Sequence, residues 1–91
     1  IYDTPDGLHQ WAARQAYIVL GFVMLAAAER GIDSCAIEGF SIDKVAAALE
    51  SFKLINRDND LPVVMLALGY RADESTHPRT RREMDEIITW Y

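Results

Sequence analysis

TPDGLHQWAARQAYIVLGFVMLAAAERG, residues 4–31, decides how this chain is built. Thr4 can cap a helix, Pro5 suits its first position, and Asp6 complements its positive end. Helical character continues to Arg30, and Gly31 can adopt the left-handed conformation that stops a helix. Leu8, Trp11, Gln15, Val19, Phe22 and Ala26 follow helical spacing, but from Ala16 onward nearly every face is apolar. A helix apolar all round needs cover all round. From Pro5 to Arg30 it would run roughly 39 Å at ~1.5 Å per residue. A compact chain of this length has a radius of gyration near ~12 Å, hence a diameter of about 30 Å. The helix is therefore expected to overhang its own domain and to form a substantial obligate interface. Gly21 and the alanines suit a close crossing with another helix.

Outward from the helix, Ile32 to Ile37 reads as a short strand leading into Glu38-Gly39. Ser41 caps a second, amphipathic helix over about Ile42 to Ser51, with Val45, Ala46 and Leu49 inward. Asn56 to Asp60 is a polar turn. Pro62 opens the run Val63 to Leu68, expected as a strand buried on both faces. A polar loop extends to Arg82, and Glu86 to Tyr91 has strand propensity without a local mate.

Ninety-one residues make one small domain, with 51% apolar and 25% charged residues placing it among globular chains. A formal charge of −5 argues against a nucleic-acid module. Four of the nine basic residues, Arg71, Arg79, Arg81 and Arg82, nevertheless fall within twelve positions, so a local anion site is compatible with the acidic whole. The single cysteine, Cys35, points to a reducing compartment and reads as a small core residue. The apolar run Ala16 to Ala28 is short of the ~18–20 residues of a membrane span. With no secretory pattern at the start, the reading is a soluble, cytoplasmic protein. The first residue is Ile1 and the strongest helix follows almost at once, so a preceding portion, or a separate chain supplying it, is expected.

Two segments carry candidate chemistry. Ala36-Ile37-Glu38-Gly39 places small or flexible residues where backbone N–H groups can face the edge of a heterocycle, although an ordinary strand-to-helix turn has the same pattern. Arg79 and Arg81 stand two apart. In an extended segment both forks point one way with Cα atoms roughly 6.5 Å apart, which suits a phosphate. A solvated loop paired with Glu83, Asp85 and Glu86 remains the alternative. His9 and His77 lack partners at metal-ligand spacing, so no metal site is expected. Glu38 is a conceivable general base, but a lone glutamate is more often structural, and no catalytic side chain is assigned.

The stretches Trp11 to Gly21, Ala26 to Ser34, Ile37 to Phe40, Pro62 to Arg71 and Pro78 to Arg81, in this order and spacing, resemble the C-terminal half of the nitroreductase family of flavoproteins. The resemblance implies an α+β fold in which residues 1–91 form the C-terminal half of a single domain. It also implies FMN at the interface of an intertwined homodimer, a long central interface helix, and a C-terminal strand exchanged with the partner. Ala36, Ile37, Glu38 and Gly39 match the segment along the flavin ring, and Arg79 and Arg81 match the pair that holds the phosphate. Ala36 stands where proline is common, and Arg79 where lysine is common. The activity implied is transfer of hydride from NAD(P)H through flavin N5 to a nitroaromatic- or quinone-type oxidant. A related flavin reaction (dehalogenation or flavin fragmentation) and a flavin-free dimerisation module are the alternatives. The N-terminal half that completes the family's site is not among these residues, so this chain alone is expected to be inactive.

Overall fold

The computed structural model describes residues 3–91. In chain order it contains α1 (Pro5–Glu29), β1 (Asp33–Ile37), α2 (Ile42–Ser51), β2 (Met65–Gly69) and α3 (Met84–Ile87). The expected start of α1 is realised: Thr4 is extended, and its Oγ1 accepts from the Gly7 N–H at 3.0 Å. Its end is a paired closure in which Gly31 N–H donates to Ala28 O at 3.0 Å and Ile32 N–H to Ala27 O at 2.9 Å. Gly31 takes a φ of +71°, where a side chain would be strained. The same closure ends α2 through Lys53 N–H to Glu50 O and Leu54 N–H to Leu49 O, both 2.9 Å, with Lys53 at φ +60°. Ser41 caps α2 by accepting from the Lys44 N–H at 3.3 Å.

β1 and β2 pair antiparallel, from Asp33 opposite Gly69 to Ile37 opposite Met65, and α1 packs on β1. β2 begins at Met65 rather than at Val63. It is not buried on both faces: Ala67, Leu68 and Gly69 are exposed, because β1 is its one neighbour among the described residues. The expected strand from Glu86 to Tyr91 also needs correction. Glu86 and Ile87 lie in the single turn α3, closed by the Ile88 N–H donating to Met84 O at 2.9 Å. Ile88 is extended, and the aromatic rings of Trp90 and Tyr91 stand in the open. A four-residue segment can satisfy its own hydrogen bonds as a helical turn, whereas a strand needs a neighbour.

Burial separates the two faces of α1. Ala13, Ala16, Leu20, Met24 and Ala27 form its covered side, whereas Ile18, Gly21, Phe22 and Leu25, at helical spacing, line an open apolar hollow. Among the described residues, Ala27 and Ala46 are the buried apolar ones. The radius of gyration is 17.0 Å, against about 12 Å for a compact chain of this length. The body is open, with extents of 44 × 41 × 23 Å, and much of the apolar surface of α1 is uncovered within the chain. Cys35, expected in the core, is exposed on β1 for the same reason. By length and composition α1 also qualifies as a membrane-crossing helix, a criterion the shorter run Ala16 to Ala28 did not meet.

Candidate functional site

β1 carries the chain from the end of α1 to the turn at Glu38 and Gly39. A tight three-residue turn forms there, with the Phe40 N–H donating to Glu38 O at 2.9 Å. Gly39 has an ordinary negative φ, so the turn does not need glycine for its dihedrals. What glycine gives is space: a Cβ at Gly39 would meet nothing within 4 Å. The Gly39 N–H has no acceptor among the described residues and stands ready for one outside them. Ile37 is half-buried at the end of β1, and Ala36 is exposed.

Tyr17 on α1 reaches this turn, a link that sequence reasoning missed. Its phenol is held above its ordinary value, first by partial burial and then by its hydrogen bond to the Glu38 carboxylate and that group's charge. A hydroxyl inside an otherwise apolar run was the available signal, but spacing alone could not name its partner.

The basic segment sorts itself by pairing. The Arg71 guanidinium grips Asp33 through Nε to Oδ2 at 2.9 Å and Nη2 to Oδ1 at 2.7 Å, and reaches Glu74 through Nη1 at 3.1 Å. That grip raises the Arg71 pKa further and holds the Asp33 carboxyl below the usual carboxylate range. Arg82 pairs with Glu86 at 3.2 Å and Arg57 with Asp43 at 3.1 Å. Arg79 and Arg81 make no ion pair among the described residues. Of the carboxylates proposed as their partners, Glu86 is taken by Arg82.

Arg79 lines a hollow of about 590 Å³ with Asp33, Ser34, Arg71 and the last turns of α1. Arg81 does not line it; its Nη1 donates to the adjacent Thr80 carbonyl at 2.7 Å. Arg79 lies by the start of β1 and the Ala36–Gly39 turn beyond its end, roughly 13 Å or more apart at ~3.3 Å per strand residue. A ligand touching both must be elongated, with an anionic end and a hydrogen-bonding edge.

The class defined here is an open α+β body, with a two-stranded antiparallel sheet against which α1 packs and a tight turn at the end of β1. The Nitroreductase family profile matches residues 1–70, and the chain belongs to that family. It is similar to proteins provisionally named as NAD(P)H nitroreductases. One from Staphylococcus epidermidis is 42% identical over 90 residues, covering 99% of this chain and 41% of that protein. Counterparts from Staphylococcus aureus and Staphylococcus haemolyticus are each 39% identical, with 99% of this chain covered and 40% and 41% of theirs. The chain thus spans about two fifths of the length of the relatives it matches. Arg79 and Arg81 lie beyond the family-profile match but inside the 90-residue alignments.

Proposed function

We propose that this chain is the C-terminal portion of an FMN-dependent NAD(P)H oxidoreductase, and that its residues form part of the flavin site. The observation that carries the reading is a set of donors without acidic partners among the described residues of a nitroreductase-family chain. Among the described residues Arg79 and Arg81 have no carboxylate partner while Arg57, Arg71 and Arg82 do, and the Gly39 N–H has no acceptor. Those donors fit a phosphate at one end and a heteroaromatic edge at the other. FMN, when bound, supplies the exchange of hydride between NAD(P)H and an acceptor of nitroaromatic or quinone type.

The protein's part is orientation. Backbone donors near Glu38 and Gly39 fix the ring edge, Ile37 and Ala36 give it an apolar flank, and Arg79 and Arg81 bind the phosphate. No side-chain acid or base of this chain is needed. The open apolar face of α1 is best covered by protein in an intertwined homodimer, and a cytoplasmic setting accords with that use of the helix. Residues beyond this chain complete the site, so residues 1–91 alone would be inactive.

In the intact protein, Arg81→Ala weakens FMN binding by about 1.5–3 kcal/mol, the scale of a charge-assisted hydrogen bond, read by fluorescence titration. Unchanged affinity would remove the phosphate role. The exposed apolar surface alone would equally serve a flavin-free dimerisation module. A stable oligomer that never takes up flavin would favour that second reading.

A further inference from the structure

The geometry points to Asp33 and Arg71 as a positioning pair that fixes where the 72–82 segment leaves the sheet and so holds Arg79 at its hollow. The inference rests on the reading of Arg79 as a phosphate ligand. Asp33 sits opposite Gly69 at the last register position of the β1–β2 pair, and Arg71 is two residues beyond it. The carboxylate grips backbone and side chain together: Oδ2 accepts from the Arg71 N–H at 3.1 Å and from Nε at 2.9 Å, while Oδ1 accepts from Nη2 at 2.7 Å. A contact that includes the backbone sets the path of the chain as well as the side-chain rotamer.

Glu74 accepts from the third guanidinium nitrogen at 3.1 Å, so three of the five Arg71 donors and its charge are already engaged by carboxylates. Arg79, eight residues on, lines the same hollow as Asp33 and Arg71 and has no carboxylate of its own. The division is clear: Arg71 anchors and Arg79 binds. Half-exposed ion pairs add little to stability, so variants of this one should fold.

The test is a comparison of FMN with riboflavin, which lacks the phosphate, titrated against the intact protein. Asp33→Asn and Arg71→Gln should each weaken FMN about tenfold through misplacement of Arg79 and leave riboflavin affinity unchanged. The double variant should be no weaker than either single one, because both remove one clasp. Unchanged or tighter FMN binding in Asp33→Asn would overturn the inference, as would equal weakening of FMN and riboflavin. A wild-type protein that binds neither flavin overturns the flavin reading itself and this inference with it.

Discussion

α1 and α2 are capped by the same chemistry and yet end in opposite situations. Each opens on a hydroxyl that accepts a backbone N–H, and each closes on a left-handed residue with paired bonds to the preceding turn. α2 is amphipathic and short, and it hides Ala46 completely, with Val45 and Leu49 half-buried. α1 is long, covers one face, and leaves Ile18, Phe22 and Leu25 more than half exposed. Local sequence therefore sets where a helix starts and stops, while the width of its apolar surface sets how much protein must surround it.

Gly21 sharpens the contrast. Glycine inside a helix costs about 0.5–1 kcal/mol relative to alanine, yet a Cβ at Gly21 would touch nothing within 4 Å in this chain. No close crossing at Gly21 is therefore made among the described residues. The largest expected effect follows from the same face. Phe22→Asp should cost the assembled protein about 3–5 kcal/mol by placing an unpaired charge under cover, seen as loss of the dimer in sedimentation. If the variant stays dimeric and equally stable, that face is solvent-exposed in the intact protein and the comparison fails.

Gly21→Leu is the next test. It should destabilise the assembly by roughly 1–3 kcal/mol through overpacking of a close helix crossing. A variant that remains a stable dimer would move the crossing elsewhere on α1. The smallest effect belongs to the feature the helices share: Ser41→Ala should lower stability by about 1 kcal/mol through the lost cap on α2, measured by denaturant unfolding. An effect several times larger would mean that Ser41 does more than cap.

The sequence was most readable where structure is local. Thr4, Gly31, Ser41 and the Asn56–Asp60 turn stand as their side chains and backbone preferences require, and the helix bounds differ by a residue at most. It was least readable where an element needs a neighbour. The run from Val63 was expected to be doubly covered, but it pairs with β1 alone and begins at Met65. Glu86 and Ile87 were expected in a strand, but among the described residues no strand edge receives them, and they close a helical turn instead.

The candidate site divides in the same way. The tight turn at Gly39 falls where the sequence places it, and among the described residues Arg79 and Arg81 make no ion pair. The tie between Asp33 and Arg71 does not follow from spacing, since it spans 38 positions. Composition placed Arg71 and Arg82 in the anion cluster, but their carboxylate partners withdraw them from it.

The most direct test of the central claim is the visible absorption spectrum of the purified intact protein, before and after heat release of any bound ligand. The account predicts flavin bands in the native sample and free FMN in the supernatant after denaturation. A colourless protein that stays colourless when FMN is added would contradict it, and the open donors at Gly39, Arg79 and Arg81 would then need a different ligand.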